Sequence, residues 1–564
     1  MKKTRLLLLL FSFALLISSC ENKNDFSTGE KIAVEWELMT NFTDEKGVFD
    51  AKFVLKNDSK ISLTDKNWTL FFNMAPRPIL SNNKPQPADL HHINGDWYKL
   101  LPNPGFTLEP GKSITIAYRG TEGVIKETDR PLGLYLVFND EDNKEKIVEV
   151  KEYTWVAFTK PEQINRTAED EEPIPTAEYN YNSNLSATLL DDSEILPVFP
   201  SPLSLKSAAG SFAINGNVEI YFQPGLENEA KYLASSLKDI NGKDLKLVTS
   251  PSGSKTIALD LKYKSESKEA YKLKISTDGI EISGSSAAGV FYGIQSLRSM
   301  IPIAIYQKKP ASFLLSGVIV EDAPRFAFRG LHLDVSRNFQ TKETILRLLD
   351  LLSFYKINRF LFYTTEDEGW RLEIKDLPEL TTVGAQREHT SGKETAVLHP
   401  AYGSGPFAKA DGRYGHGYYS KEDFIEILKY ANDRHIKVIP ELNFPGHARA
   451  AIKAMEARYE RLMKEGKEAE ANEYRLIDPE DKSVYLSAQG YTDNVVSVAR
   501  ESSFHFYEKV VDEIIAMYKE AGLTLDVFHT GGDEVPEGAW TKSPLAAELM
   551  KNHPEIRDPK NLQA

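Results

Sequence analysis

The 564-residue sequence predicts a multidomain protein in which an N-terminal all-β sandwich and a small α+β domain precede a (β/α)8 barrel of the TIM type. Two observations indicate this order. Short β-branched and aromatic runs alternate with turn residues from about 31 to 160, which is typical of a sandwich. From 325 onward strand-like and helix-like runs alternate, and repeated βα units imply a parallel sheet that closes naturally into an eight-stranded barrel.

Changes in composition divide the chain into five segments. The stretch 168–175 is acidic and contains two prolines, which indicates a linker between domains. Beyond it, apolar residues at helical spacing and a hairpin pattern around Asp278–Gly279 indicate a mixed α+β domain. We predict a signal peptide at 1–20, a sandwich at 21–165, a linker at 166–194, an α+β domain at 195–322 and about the first four βα units of the barrel at 323–564.

The N-terminus has the features of a secretory signal followed by a lipid attachment site. The basic stretch Met1–Arg5 precedes the apolar run Leu6–Ile17, which is too short to span a bilayer and is typical of a signal peptide. The run ends in Leu16-Ile-Ser-Ser-Cys20, which resembles the bacterial lipoprotein processing box. That resemblance implies that Cys20 is lipidated and that the protein is anchored in the bacterial cell envelope, on the periplasmic side or the outer surface. The alternative is an ordinary signal peptide with an incidental cysteine.

Charge and cysteine content exclude several classes of function. The net charge of −14 argues against a nucleic-acid partner, because binding to phosphates requires a basic face. Cys20 is the only cysteine, which rules out an intrachain disulfide and a cysteine-based metal cluster. We predict no metal and no cofactor.

Four strands of the barrel can be placed in the sequence. They are Phe328–Asp334, Arg359–Tyr363, Lys437–Leu442 and a buried strand that starts at Leu525. Thr341 is predicted to cap the helix after the first strand, and Ser420 is predicted to begin another helix with a capping box. A closed barrel needs eight strands. We therefore expect the chain to be truncated at its C-terminus, with open sheet edges, and to be inactive and less stable on its own.

Ionisable side chains follow each of these strands. The four segments are Asp334–Arg337, Glu366–Arg371, Glu441–His447 and His529–Glu534. Taken singly, each has a structural explanation as an ion pair, a solvated acidic loop or a helix cap. Because parallel strands present their C-terminal ends at one rim, we predict that the four segments meet in one active site. In the last segment, Gly531 and Gly532 permit a sharp turn that presents the adjacent carboxylates Asp533 and Glu534.

These rim segments resemble the motifs of the family 20 glycoside hydrolases, the β-N-acetylhexosaminidases, and most of all the bacterial chitobiase-like branch. The matching stretches are Phe328–Arg337, Asp367–Ile374, Pro440–Ala448 and His529–Glu534. The resemblance covers about 325–545 and extends more loosely to the preceding domains, so the sandwich is expected to be carbohydrate-binding-like. It implies hydrolysis of terminal non-reducing N-acetylglucosamine or N-acetylgalactosamine residues from glycans. The implied mechanism is retaining and substrate-assisted, with the 2-acetamido oxygen attacking the anomeric carbon to form an oxazolinium ion.

The resemblance also implies roles for individual residues. Glu534 is the general acid and base, and Asp533 orients the acetamido group and stabilises its developing positive charge. Arg337 and Asp367 bind the substrate, and the supporting residues are His447, Glu366, Glu441 and His529. Among them, His447 links the catalytic acid to a further carboxylate. The sequence departs from the family at Glu366, where an aspartate is usual, and at Tyr363, where a histidine is favoured.

Two other functions fit the same residues. The first is a metal-dependent barrel hydrolase with carboxylate and imidazole ligands, namely His447, His529, Asp533, Glu534 and Glu441. The histidines lack the spacing of the common zinc motifs, which weakens this alternative. The second is a lipid-anchored, non-catalytic glycan-binding protein with an incomplete barrel. The intact acid pair Asp533–Glu534 argues against it.

Overall fold

The computed structural model of the chain describes residues 26–563, apart from residues 44, 140–143, 166, 174–175, 192–194, 196, 252–254, 392–395 and 410–411. The predicted signal peptide and Cys20 lie outside the described residues. Three folding units follow one another along the described chain: a sandwich, an α+β unit and a parallel βα unit. Within the described ranges, no helix combines the length and the apolar character needed to cross a membrane.

The first unit is a β-sandwich, as the alternating pattern predicts. Its strands are β1 (Ile32–Thr40), β2 (Val48–Asn57), β3 (Leu63–Thr64), β4 (Trp68–Asn73), β5 (Ile79–Leu80), β6 (Ala88–Asn94), β7 (Trp97–Pro102), β8 (Thr107–Leu108), β9 (Ser113–Thr121), β10 (Leu132–Asn139), β11 (Glu145–Glu149) and β12 (Tyr153–Trp155). They form two five-stranded sheets, β12-β1-β2-β9-β5 and β11-β10-β4-β7-β6, and a short pair, β3-β8. Inward-facing aromatic side chains from both sheets make the core, where Phe53 packs against Phe72.

Two short helices lie between the sandwich and the next unit. They are α1 (Pro161–Ile164) and α2 (Ala177–Ser183). Helix α1 packs against β1, where Gln163 donates a hydrogen bond to the carbonyl of Leu38. Helix α2 buries none of its side chains, which is consistent with the polar composition of the predicted linker.

The second unit has one seven-stranded sheet covered by helices. Its elements are β13 (Ser204–Asn215), β14 (Glu219–Phe222), α3 (Glu227–Asn241), β15 (Lys246–Val248), β16 (Thr256–Asp260), β17 (Tyr271–Ile275), β18 (Gly279–Gly284), α4 (Ala287–Ser299), α5 (Ile303–Lys308) and β19 (Ser312–Asp322). The strand order is β13-β19-β17-β18-β16-β14-β15. Both the predicted hairpin, β17 with β18, and the helix ended by Gly242 in a left-handed conformation are present.

The third unit contains the parallel strands that carry the rim residues. Its elements are β20 (Gly330–Asp334), α6 (Lys342–Phe354), β21 (Arg359–Tyr363), β22 (Thr365–Glu366), β23 (Gly369–Trp370), α7 (Glu379–Thr382), α8 (Lys421–Asn432), β24 (Lys437–Glu441), α9 (Arg449–Lys464), α10 (Glu468–Asn472), α11 (Glu501–Glu520) and α12 (Pro544–Asn552). Strands β20, β21 and β24 are parallel neighbours in that order. Thr341 caps α6, and Ser420 forms the predicted capping box with Asp423 at the start of α8.

The prediction of a buried fourth strand from Leu525 is wrong. Among the described residues, this segment makes no ladder, and its pairing with β24 is a single parallel bridge between Glu441 and His529. Val527 is 46% exposed. A strand needs a paired neighbour and a covered face to form a ladder, and the described chain supplies no partner on the outer side of this segment. The parallel sheet therefore has three strands, and closure into an eight-stranded barrel stays a prediction.

Candidate active site

The register of the parallel sheet brings the predicted rim segments together. Asp334 at the end of β20 lies opposite Tyr363 of β21, and Tyr363 lies opposite Glu441 of β24. The bridge from Glu441 adds His529 to the same row. These ends surround a cavity of about 460 Å³, which is lined by His332, Arg337, Leu361, Tyr363, Glu366, Glu441, His447, Gln489, His529, Gly531, Asp533 and Glu534.

A tight turn presents the two adjacent carboxylates to this cavity. Gly531 and Gly532 have φ angles of 59° and 90°, and Glu534 has a φ of 54°. A Cβ atom on Gly531 would lie 1.7 Å from the side-chain oxygen of Asn443, so only glycine fits there. A left-handed glutamate is uncommon, and such strain concentrates at functional sites. The turn leaves the Glu534 side chain 47% exposed towards the cavity.

His447 connects Glu534 to buried carboxylates. Its Nε2 atom lies 3.4 Å from Glu534 Oε2, and its Nδ1 atom lies 3.2 Å from Glu366 Oε1 and 3.4 Å from Asp367 Oδ2. Burial alone would lower the pKa of His447, but the hydrogen bonds to Asp367 and Glu366 outweigh burial and raise this pKa to about 11. At neutral pH the imidazole is therefore a cation beside the catalytic-acid candidate.

Arg337 is the second cation at the base of the cavity. Its guanidinium nitrogens lie 2.5 Å from Glu366, 2.8 Å from Glu368 and 2.9 Å from Asp334. Burial opposes the charge of Arg337, but these carboxylates outweigh burial and raise its pKa. The resemblance assigns no role to Glu368, although this residue lies within the matching stretch Asp367–Ile374. Its place in the continuous acidic run Glu366–Glu368 was the signal that could have identified it.

The glutamate that replaces the usual aspartate is well accommodated. Glu366 reaches both Arg337 and His447, and Tyr363 donates its hydroxyl hydrogen to Glu366 Oε1 at 2.7 Å. The same Tyr363 hydroxyl accepts a hydrogen bond from Asn443. Burial and the neighbouring charge of Asp367 raise the pKa of Glu366 above its usual range. The two departures from the family pattern, Glu366 and Tyr363, therefore contact each other.

Asp367 does not line the cavity, although the resemblance implied a substrate-side position for it. Its side chain is fully buried, where it accepts the Arg449 backbone N–H at 3.1 Å and the Asn494 side-chain amide at 3.0 Å. It also lies beside His447. The structure places Glu366, one residue earlier, on the cavity wall instead.

Glu441 and His529 support the base of the acid turn. His529 Nδ1 lies 3.0 Å from Glu441 Oε1, and the N–H of Gly531 donates to the same ring nitrogen at 3.1 Å. Burial raises the pKa of Glu441 above its usual range, while His529 opposes the shift. Both residues line the cavity, as the sequence predicts.

A residue outside the predicted segments also contacts Glu534. Gln489 donates its side-chain amide to Glu534 Oε2 at 2.5 Å. It lies in a loop between α10 and α11, far from any strand end in the sequence, so no strand-end signal pointed to it. Two residues later, Tyr491 donates its hydroxyl hydrogen to Glu368 at 3.1 Å.

The arrangement differs from the ligand set of the metal-dependent alternative. Among the described residues, the potential ligand atoms that lie within 4.8 Å of one another belong to Glu366, Asp367 and His447. In this group Arg337 already contacts Glu366, so a guanidinium balances its negative charge. His529 and Glu441 pair with each other at 3.0 Å and are not members of that group.

Comparisons with known proteins find similar sequences along most of the chain. Residues 326–564 match the model described as "Glycosyl hydrolase family 20, catalytic domain", residues 196–323 match its domain 2, and residues 31–178 match the CHB_HEX model, a candidate carbohydrate-binding domain. The chain is 35% identical over 511 residues to a beta-hexosaminidase of Vibrio vulnificus and 33% identical over 536 residues to the N,N'-diacetylchitobiase of Vibrio harveyi. These alignments cover 88% and 92% of the chain, which spans 58% and 59% of the two relatives.

A solved structure is similar over nearly the whole chain. It is the GH20 exo-β-N-acetylglucosaminidase of Vibrio harveyi in complex with N-acetylglucosamine, with a TM-score of 0.74 at 27% identity. The match covers 94% of this chain and 72% of that one. The order of the three units is therefore shared with a family 20 enzyme.

Proposed function

The chain belongs to glycosyl hydrolase family 20, and from this premise we propose that the protein carrying it is a β-N-acetylhexosaminidase. The substrate class is a glycan with a terminal non-reducing N-acetylglucosamine or N-acetylgalactosamine residue. One observation carries the proposal: the exposed pair Asp533–Glu534 stands at the edge of a cavity whose base holds two cations, Arg337 and His447. We also propose that the parallel sheet is part of a complete (β/α)8 barrel in the whole protein.

Glu534 serves as the general acid and base in this proposal. Its carboxyl group faces the cavity and contacts His447 Nε2 and the Gln489 amide. It donates its proton to the leaving glycosidic oxygen and later takes a proton from the attacking water. General acid–base catalysis by one positioned group contributes about 10²–10⁴-fold.

The nucleophile is the acetamido oxygen of the substrate. A conventional retaining glycosidase uses a second carboxylate as the nucleophile, but the buried Glu366 is already bonded to Arg337, Tyr363 and His447. In the first step a bond forms between the acetamido oxygen and the anomeric carbon as the glycosidic bond breaks, and Glu534 protonates the leaving oxygen. Asp533 balances the positive charge that develops on the resulting oxazolinium ring. Water then opens the ring at the anomeric carbon, with retention.

Arg337 is the main sugar-binding residue. Three carboxylates hold its guanidinium in place, and 20% of its side chain remains exposed. A guanidinium with fixed geometry presents its remaining N–H donors in defined directions. We propose that these donors bind the hydroxyl groups of the terminal sugar and that Glu366, on the same wall, orients the guanidinium.

The experiment is an assay of the purified whole protein on aryl N-acetyl-β-glucosaminides, with and without a thiazoline analogue of the oxazolinium ion. We expect turnover, and we expect the thiazoline to inhibit competitively, because it mimics the cyclic intermediate. The absence of turnover would overturn the assignment. Turnover that the thiazoline does not inhibit would overturn the substrate-assisted mechanism.

We also propose that the protein is lipid-anchored in the bacterial cell envelope through Cys20. The support is the signal-like sequence Met1–Cys20, which ends in the only cysteine of the chain. Mass spectrometry of the mature N-terminal peptide is expected to show a diacylglyceryl group on Cys20. A Cys20→Ser variant that stays in the membrane fraction, like the parent, would contradict the anchor.

A further inference from the structure

We propose that the sandwich domain positions the active site through the turn Asn94–Asp96, which joins β6 and β7. The turn contacts the loop Ser487–Asn494, which we call the support loop. The proposal rests on the proposed function, since the support loop contacts the groups assigned to catalysis and sugar binding. In this proposal the sandwich helps to position the catalytic residues, in addition to any role in glycan binding.

Both polar atoms of the Asn94 side chain contact the support loop. Its amide nitrogen donates to Asp493 Oδ1 at 2.9 Å, and its carbonyl oxygen accepts the Thr492 N–H at 3.1 Å. Next along the turn, the Gly95 N–H donates to the carbonyl of Gly490 at 2.9 Å. The three bonds join residues about 400 positions apart and fix three residues of the loop, Gly490, Thr492 and Asp493.

The fit between turn and loop is close enough to require glycine. Gly95 has a φ of 59° and is buried, and a Cβ atom there would lie 2.4 Å from the ring of Tyr491. A Cβ atom on Gly490 would lie 3.0 Å from the Gly95 carbonyl oxygen. The backbones of the two segments therefore approach each other directly, and a small displacement of the turn must displace the loop.

Aromatic rings continue the contact beneath the turn. Trp97 stacks on His399 with a centroid distance of 5.0 Å and an interplanar angle of 15°, and His399 stacks on Tyr491 at 6.0 Å and 23°. All three rings are buried. Asp96 accepts the Tyr402 N–H at 2.7 Å, which ties a second loop of the catalytic unit to the same turn.

From the support loop, two side chains reach the groups that act on substrate. Gln489 donates to Glu534 at 2.5 Å. Tyr491 donates to Glu368 at 3.1 Å, and the other oxygen of Glu368 lies 2.8 Å from Arg337 Nε. A third, Asn494, donates to Asp367, the partner of the His447 imidazole. Gln489, Tyr491 and Asn494 are thus positioning residues, and the sandwich turn holds the loop that carries them.

The test compares two asparagines of the sandwich, Asn94→Ala and Asn103→Ala, in the whole protein. Asn103 is a matched control because it is equally half-buried and its hydrogen bonds stay within the sandwich. Its side-chain amide donates to the Gln86 carbonyl and to the Asp89 carboxylate. Misplacement of about 1 Å far from the chemistry can cost about 10²-fold in rate. We expect Asn94→Ala to lower kcat/KM about tenfold or more on substrates with poor leaving groups. The loss should be smaller on aryl substrates with good leaving groups, because these depend less on Glu534.

Hydrogen exchange of the same variants separates this inference from the proposed function. We expect faster exchange in peptides that cover 487–494 in Asn94→Ala, with no change there in Asn103→Ala. Unchanged exchange together with unchanged kinetics would overturn the inference. If the parent protein shows no turnover, the proposed function fails, but the exchange rates still decide whether the turn holds the loop.

Tyr491→Phe provides a second test if Asn94→Ala does not fold. The ring and its stacking on His399 are kept, and the hydrogen bond to Glu368 is lost. We expect KM to rise several-fold with little change in kcat, because the affected arm leads to the sugar-binding Arg337. An unchanged KM would overturn the role of this arm. Tyr118→Phe is the control for loss of a buried hydroxyl, because the Tyr118 hydroxyl accepts a hydrogen bond from Trp36 inside the sandwich core.

Discussion

The candidate active site combines two acidic regions with opposite environments. Glu366 and Asp367 are almost completely buried and are bonded to cations and amides on several sides. Asp533 and Glu534 stand on an exposed turn, and the protein contacts of Glu534 are made by His447 and Gln489. Buried charges persist only when paired, so the first region is suited to holding geometry. The second region has free carboxylate surface and is suited to reacting with substrate.

The largest effect is expected from changing the exposed acid. Glu534→Gln removes the proton donor, so cleavage of substrates with poor leaving groups should fall by about 10²–10⁴-fold. Steady-state rates of the whole protein measure this loss. The matched control is Glu537→Gln, an exposed acid three residues away on the same segment, which should stay within twofold of the parent. Equal activity of Glu534→Gln and parent would contradict the role of Glu534.

A smaller but still severe effect is expected for its neighbour. Asp533→Asn removes the charge that is proposed to face the oxazolinium ion, and loss of one such electrostatic contact costs about 10²–10³-fold in kcat. The loss should be similar for good and poor leaving groups, because the proposed role of Asp533 is to act on the acetamido group. A rate profile for a series of aryl leaving groups distinguishes this pattern from that of Glu534→Gln. A loss confined to poor leaving groups would mean that Asp533 does not act on the nucleophile.

Substitution in the buried region is expected to lower the free energy of unfolding. His447→Ala removes the imidazolium that Glu366 and Asp367 share, and removing one partner of a buried pair costs about 3–5 kcal/mol. Denaturant unfolding measures this loss, and His505→Ala, an exposed histidine on α11, serves as the control. A free energy of unfolding that changes no more in His447→Ala than in the control would contradict the pairing.

The same histidine predicts how stability depends on pH. The folded pKa of His447 lies near 11, above its ordinary value of 6.5, so the folded state holds a proton that the unfolded state has released. Its contribution is complete below about pH 6.5 and is lost as the pH rises towards 11. The raised pKa of Glu366 has the same sign. We expect Tm to fall between about pH 7 and 10, and to fall less steeply in His447→Ala.

The smallest effect is expected where only one hydrogen bond changes. Tyr363→Phe removes the hydroxyl that donates to Glu366 and accepts from Asn443, at a cost of about 1–3 kcal/mol in the free energy of unfolding. KM should rise a few-fold, since Glu366 also orients Arg337. Tyr418→Phe, an exposed tyrosine, is the control. A change in kcat without a change in KM would mean that Tyr363 affects the proposed general acid, Glu534, and not the sugar-binding Arg337.

Features that depend on residues close together in the sequence could be predicted from it. Local rules were sufficient for the caps at Thr341 and Ser420, the stop at Gly242 and the three parallel strands. Each depends on residues within a few positions of one another. The rim residues that follow strands were found for the same reason, because strand ends are visible in the pattern.

Contacts between distant segments could not be predicted in this way. Gln489 lies outside the strand-end segments, and only the folded chain brings it to Glu534. Glu368 lies within one of these segments, but its contact with Arg337 is visible only in the folded chain. Asp367 was expected at the substrate, whereas the turn after β21 points its side chain inward to His447. The strand predicted at Leu525 failed because a strand depends on its neighbours as well as on its own apolar residues.

The most direct test of the account measures the nucleophile itself. The whole protein is given aryl β-glucosaminides whose 2-acetamido group carries zero, one, two or three fluorine atoms. Fluorine withdraws electrons from the amide oxygen, so the account predicts that kcat/KM falls steeply with each added fluorine. Rates that are independent of fluorine content would show that the acetamido oxygen does not attack, and the substrate-assisted mechanism and the proposed role of Asp533 would have to be abandoned.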